Sequence, residues 1–185
     1  MNNMIKYYIL IASLIIGCFE ANAQVQVEPY VGLTMPIRNI GASEVNEVAG
    51  LNAGIEIRKN ISSSPLTVGA DLFMASSVRQ MERQEGGHSS NSQRMVGVAA
   101  VCDYNLLLGK SATLFFGTGV GLSQRHTVSS GIDKGIGICA EYGPVVAPRA
   151  GVQLCKHMRI TFEARFTQRD YNLLAFRLGY TFGKL

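Results

Sequence analysis

The sequence predicts an all-β chain folded as an eight-stranded antiparallel up-and-down transmembrane β-barrel, on three observations. Eight segments alternate apolar and polar residues with period 2, and each is 10–14 residues long. That exceeds the 5–6 residues of an ordinary strand and suits the roughly 9–11 that a tilted strand needs to cross a bilayer. In every segment one parity is apolar. The connections between segments alternate long and short.

The composition excludes other classes. The 185 residues hold 17 Lys or Arg and 13 Asp or Glu, 16% charged and 47% hydrophobic, too apolar for a disordered chain. The net charge of +4 comes from basic residues scattered along the sequence, with no dense run and no nucleic-acid motif, so no nucleic-acid partner is expected. Length points to one domain.

Residues 1–23 read as a signal peptide, leaving 24–185 as a single barrel domain. Lys6 precedes an apolar core from Ile9 to Phe19, too short for a spanning helix, and Ala21-Asn22-Ala23 gives the small-x-small cleavage pattern before Gln24. Ile15-Ile16-Gly17-Cys18 resembles a lipobox, the alternative in which Cys18 is lipidated. Either route takes the chain out of the cytoplasm.

The eight segments are 25–35, 48–58, 65–76, 94–107, 112–123, 144–155, 159–168 and 172–182. The first carries Val25, Val27, Pro29, Val31, Leu33 and Met35 on its apolar parity. Leu51 to Ile57 follow on the second, Leu66 to Met74 on the third and Val96 to Leu106 on the fourth. Ala112 to Leu122, Pro144 to Leu154, Ile160 to Phe166 and Leu174 to Phe182 complete the set. These 42 positions hold no charge and no glycine. Pro144 and Pro148 each remove a ladder donor, so the sixth segment is expected to bulge or to start late.

The opposite parity holds Glu28, Glu56, Arg58, Asp71, Asp103, Arg149, Glu163, Arg165 and Arg177, with most of the strand glycines and few bulky apolar groups beyond Tyr30 and Phe73. A soluble barrel would fill its interior with the apolar set and turn its charges to water. Here the apolar set is too bulky for a narrow interior and the polar set is small enough to fit. In lipid, only a helix or a closed barrel pairs every backbone group.

Long connections at 36–47, 77–93 and 124–143, against short ones at 59–64, 108–111 and 156–158, fit a barrel with one outer and one periplasmic rim. Both termini are then expected in the periplasm. The nine inward charges are expected to form one structural layer that closes the lumen. Arg177 would pair with Glu28, and Arg165 or Arg149 with Glu163, while Gly117, Gly119 and Gly121 make room for Arg149 to cross.

The mature chain resembles the small eight-stranded outer-membrane barrels of Gram-negative bacteria, the outer membrane protein β-barrel or porin-like family. Val25 to Leu33 at the start and Leu174-Ala-Phe-Arg-Leu-Gly-Tyr-Thr-Phe182 at the end carry the resemblance. The closing alternation is similar to the signal that barrel-assembly machinery reads, although Gly183-Lys184-Leu185 follows it. The resemblance implies outer-membrane location and lipid and assembly-machinery partners.

No enzyme is expected. Some barrels of this size resemble lipid A deacylases with a His-x-Ser pair, but His126 and Ser129 stand one residue too far apart and on opposite strand faces. His88 and His157 have no carboxylate or cysteine beside them, and Gly117, Gly119 and Gly121 precede no helix. No cofactor or metal is expected; the mature cysteines Cys102, Cys139 and Cys155 form no ligand motif, and their spacing predicts three free thiols. The function read from the sequence is a structural or surface-interaction barrel, with a small porin-like channel and a lipid-modifying enzyme as alternatives.

Overall fold

A computed structural model describes residues 25–37, 45–82, 88–109, 111–131, 134–167 and 172–183. The expected signal peptide and Cys18 lie outside the described residues. The strands are β1 Val25–Pro36, β2 Val45–Val48, β3 Gly50–Asn60, β4 Leu66–Glu82, β5 His88–Leu107, β6 Ala112–Gly131, β7 Lys134–Leu154, β8 Met158–Thr167 and β9 Leu173–Tyr180.

Every pairing is antiparallel. β2 and β3 both pair with β4 and are separated only by Ala49, so they are two parts of one barrel strand. The order then runs β3-β1-β9-β8-β7-β6-β5, and β4 closes the ring by pairing with both β3 and β5. Closure leaves eight strands with no edge in the barrel wall, which satisfies the backbone without water.

One rim carries the short turns. Leu154-Cys155-Lys156-His157 makes a tight turn with a backbone bond from His157 to Leu154 of 3.1 Å, and both central residues have positive φ, 50° and 66°. The strand thus ends at Leu154, and Cys155 belongs to the turn instead of the inward-facing parity. Thr181 and Phe182 return to this rim, where Phe182 and Val27 exchange backbone bonds of 2.8 and 2.9 Å.

The opposite rim is taller than the sequence indicated. Much of the polar sequence in 77–93 and 124–143 continues the strands: β4 pairs with β5 up to Glu82↔His88, and β6 with β7 up to Gly131↔Lys134. β7 has 21 residues, whereas the β7–β8 ladder ends at Val145↔Thr167. Strands β4 to β7, with β2 on β4, therefore continue above that point, β7 for eleven residues or roughly 36 Å along the strand at ~3.3 Å per residue. Alternating polar residues pair as well as apolar ones once a neighbouring strand is in register.

No bulge occurs at the prolines. The β6–β7 register runs unbroken through Leu122↔Pro144 and Thr118↔Pro148, and its one shift lies between Ser129 and Gly131. The β7–β8 ladder skips Ala147 and Pro148, then resumes in the same register at Arg149↔Glu163. Pro144 lies one residue beyond the last described β7–β8 pair, Val145↔Thr167.

The outward parity is the exposed one. Val31, Leu51, Leu122 and Phe162 are 65%, 70%, 66% and 62% exposed, within a continuous band of such residues. Outward Arg94, Gln124, His126 and Tyr142 mark its upper limit, with Gln124 donating to the Tyr142 hydroxyl at 2.8 Å. Toward the short-turn rim the band becomes aromatic. Tyr104 stacks on Phe116, Phe162 meets Phe176, and Tyr180 lies against both His157 and Phe182.

Candidate functional site

All nine inward charges named from the sequence are buried in the lumen, and a tenth, Arg159, is buried with them at 1% exposure. Arg159 shares the parity of Glu163 and Arg165 on β8 but stands at the first position of its segment, where sequence patterning gives least weight. Its presence matters for the balance. Five carboxylates face five guanidinium groups, so the buried layer is formally neutral.

The layer has two tiers. Nearer the short-turn rim, Arg58 donates to Glu28 at 2.5 Å and to the Thr181 hydroxyl at 3.1 Å. Arg159 donates to Asp103 at 2.6 Å and lies 3.9 Å from Glu28. Its guanidinium carbon sits 3.5 Å over the centre of the Phe115 ring.

The next tier spans the barrel. Arg149 grips Glu56 with two bonds of 2.6 and 2.9 Å, and Asp103 with two of 2.8 and 2.7 Å. β7 and β3 lie on opposite sides of the ring, so this one fork ties the wall across its full width. The planar guanidinium matches two carboxylates as a lysine ammonium would not. Arg177 reaches Asp71 and Glu163 at 3.0 Å each and Glu56 at 3.6 Å. It also lies over the Tyr30 ring, whose hydroxyl donates to Asp71 at 2.8 Å. Arg165 bonds Glu163 on its own strand and stacks 4.0 Å over Phe73.

Of the pairings expected from the sequence, Arg165 with Glu163 forms and Arg177 with Glu28 does not. Arg177 makes no ion pair with Glu28, which instead belongs to Arg58 and Arg159. Arg149 turns away from Glu163, its neighbour in register, toward Asp103 and Glu56. Strand adjacency misleads here because a side chain as long as arginine reaches across a narrow lumen, while Glu163 is already held by Arg165 and Arg177.

Above the charges an apolar cluster stands beside buried Thr34, Asn52, Ser77 and Ser123. Tyr30, Phe73, Ala75, Met95, Ala99, Val145 and Leu173 form a buried cluster toward the tall rim. Sequence reasoning named only the first two of its bulky members. Glycines face the rings: an added Cβ at Gly97 would stand 2.5 Å from Phe73 Cζ, and one at Gly151 equally close to Phe115 Cζ. Aromatic rings from both ends thus cover the charge layer, and the lumen is filled by side chains, as in other eight-stranded barrels.

Among the described residues, no group of three or more His, Cys, Asp or Glu is placed to hold a metal ion. His126 pairs in register with Arg94 and Ala140 on the protruding sheet. His157 faces the Thr181 carbonyl at 3.0 Å and stacks on Tyr180, a structural lock on the turn.

No protein-family model matches the chain, and no curated protein matches it in sequence. Similarity appears among solved structures. The attachment invasion locus protein Ail of Yersinia pestis, in complex with the heparin analogue sucrose octasulfate, is 15% identical with a TM-score of 0.53, over 86% of this chain and 99% of that one. Neisserial surface protein A is 10% identical with a TM-score of 0.55, over 86% of this chain and 97% of that one. At such identities the likeness speaks for the fold alone. Closed ring, charge-filled lumen and these two matches together establish that the chain has the fold of the small eight-stranded outer-membrane β-barrels.

Proposed function

We propose that the protein is a closed outer-membrane barrel whose work is done on the outside, by the sheet that stands above the barrel wall. The outer band is far larger than the apolar patches of soluble monomers, so it belongs in lipid. Residues 1–23 export the chain, assembly machinery inserts it, and outer-membrane lipids surround it. The tall rim then faces outward and the short-turn rim faces the periplasm.

The observation that carries the reading is the contrast between a charge-packed lumen and a tall polar sheet. A neutral lattice of ten buried charges under an apolar cluster supports a closed lumen. Among the described residues the β6–β7 ladder continues to Gly131↔Lys134, well past the last β7–β8 pair at Val145↔Thr167, so polar strands stand above the wall where a partner can meet them. The two similar structures, those of an attachment invasion locus protein and of a neisserial surface protein, agree with a contact role. We assign no enzymatic activity to the buried carboxylates, which are held by the five arginines of the layer.

Planar-bilayer recording tests this against the porin-like alternative. The full mature chain is expected to show no stable openings of nanosiemens size. A stable open state in the wild-type protein would replace the contact role with that of a channel.

A further inference from the structure

The apolar band ends on β5, β6 and β7 in a row of hydrogen-bond donors. Arg94 stands in register with His126, and His126 with Ala140. One step below, Val96 is in register with Gln124 and Gln124 with Tyr142. All share the outward parity of Val98 and Leu122, which are 48% and 66% exposed in the next row down. The apolar positions of β6 thus stop at Leu122, and Gln124 and His126 follow two and four residues above it. In a strand tilted about 40° that is a rise of roughly 5 and 10 Å. The headgroup layer extends roughly 5–8 Å beyond the hydrocarbon on each side, so long side chains from this row lie at its depth.

The row offers donors and no acid. Arg94 and Tyr142 are exposed and His126 is half-buried. Gln124 donates its amide to the Tyr142 hydroxyl at 2.8 Å, which leaves the hydroxyl proton of Tyr142 to donate elsewhere. Glu141 beside it has the inward parity and is held by Arg125. Among the described residues Arg94 and His126 make no ion pair of their own. Facing residues on neighbouring strands have Cβ atoms roughly 5 Å apart, so one anion can bridge the guanidinium and the imidazole.

Below the row the same strands form a seat for hydrocarbon. Eight residues down β6 from His126, Cys102, Thr118 and Pro148 make an outward row of small side chains and line an apolar depression of about 1,130 Å³. The distance is roughly 26 Å along the strand, or about 20 Å in depth at the same tilt, which is close to the bilayer midplane. An acyl chain hanging from the donor row therefore reaches the depression, whereas a soluble anion gains nothing from it.

We infer that Arg94, His126 and Tyr142 bind the phosphate of a lipid carrying a phosphate monoester, with an acyl chain laid along Val98, Leu122 and Val120 toward Thr118. A monoester carries roughly −1.5 to −2 charges at pH 7 and three acceptor oxygens, which matches one donor side chain on each of β5, β6 and β7. A phosphodiester headgroup offers less charge and fewer free oxygens. The inference rests on the reading that the apolar band lies in lipid, and it holds in either orientation of the barrel.

The test is NMR of the Arg94 and His126 side chains in the full mature chain, incorporated into phosphatidylcholine nanodiscs with increasing fractions of phosphatidic acid. Both sets of resonances should shift saturably, and phosphatidylglycerol at the same fractions should shift them at least about threefold less. Arg94→Gln should weaken the response of His126 about tenfold, and His126→Gln should weaken that of Arg94 by a similar factor. Lys59→Gln, at the short-turn rim, should change neither. An equal response to phosphatidylglycerol, an equal response to inorganic phosphate in pure phosphatidylcholine discs, or no saturable shift would overturn the site and leave the membrane reading intact. Failure of the chain to enter the discs would overturn both.

Discussion

Arg149 and Asp103 meet across a glycine: the two side chains, on strands separated by β6, form bonds of 2.8 and 2.7 Å directly over Gly117, which is in register with both. A Cβ built at Gly117 falls onto the Asp103 carboxylate and the Cys102 carbonyl. This two-bond link of the charge layer therefore requires a missing side chain on the strand between its partners.

Gly117→Ala should break this crossing and lower stability in detergent by roughly 3 kcal/mol, the lower end of what breaking a buried pair costs. Gly119→Ala is its control. There the nearest atoms to an added Cβ are side-chain carbons at 3.4 Å or more, and the change should stay within about 1 kcal/mol. Heat- or denaturant-induced unfolding of the two variants separates them; equal losses would show that the glycines serve backbone packing alone.

Arg177→Met should destabilise by roughly 3–5 kcal/mol, because Asp71 and Glu163 lose their 3.0 Å partner while remaining buried. Adding Glu163→Gln to that variant should restore part of the loss, since it removes one of the stranded charges. Adding Glu28→Gln should not, because Glu28 belongs to Arg58 and Arg159. Unfolding of the two double variants in the same detergent decides it, and rescue by Glu28→Gln alone would refute the pairing.

The barrel itself was legible because a strand in a wall has two environments, and period 2 sorts every residue between them. Inward Glu56 and outward Ile55 needed no further information. The partner of a long side chain was not legible. Arg177 and Glu28 sit on adjacent strands, yet which carboxylate a guanidinium meets depends on strand stagger and on who already holds each acid. The height of the strands was hidden for a different reason. Ser89 to Gln93 read as loop because they are polar, but polar residues pair well when both faces meet water, and alternation then carries no signal.

Trypsin on intact cells should follow the ladders instead of polarity. Cleavage is expected at Lys134, the first residue of β7, and at Arg38, Arg83 or Arg169, which follow β1, β4 and β8 in the sequence. Arg79, paired with Asn91, and Arg125, paired with Met95 and bonded to Glu141, should resist. Lys59 and Lys156 at the short-turn rim should be cut only after lysis. Peptide mapping by mass spectrometry reads the sites, and cleavage at Lys156 in intact cells would invert the orientation.

The cysteines report both faces and both rims at once. Cys102 is free and outward, between Val68 and Thr118 in the middle of the apolar band, while Cys155 is free and exposed in the short turn. The row of Cys102 continues through Thr118 to Pro148, seven residues from Cys155 along β7, or roughly 23 Å at ~3.3 Å per residue. Cys139 pairs in register with Thr127, nine residues along β6 from Thr118, which places it roughly 30 Å from Cys102 and still farther from Cys155. A disulfide needs Cα atoms within about 7 Å, so no two of the three can bridge within one chain. The denatured, unreduced mature protein should therefore show three thiols. In bilayers, a charged maleimide should modify Cys155 from the periplasmic side and leave Cys102 untouched, whereas a small lipophilic maleimide should reach Cys102. Lipid, not protein, is what shields Cys102, so transfer to urea should open it to the charged reagent. Rapid reaction of Cys102 with the charged reagent in the intact bilayer would mean that this face of the barrel meets water.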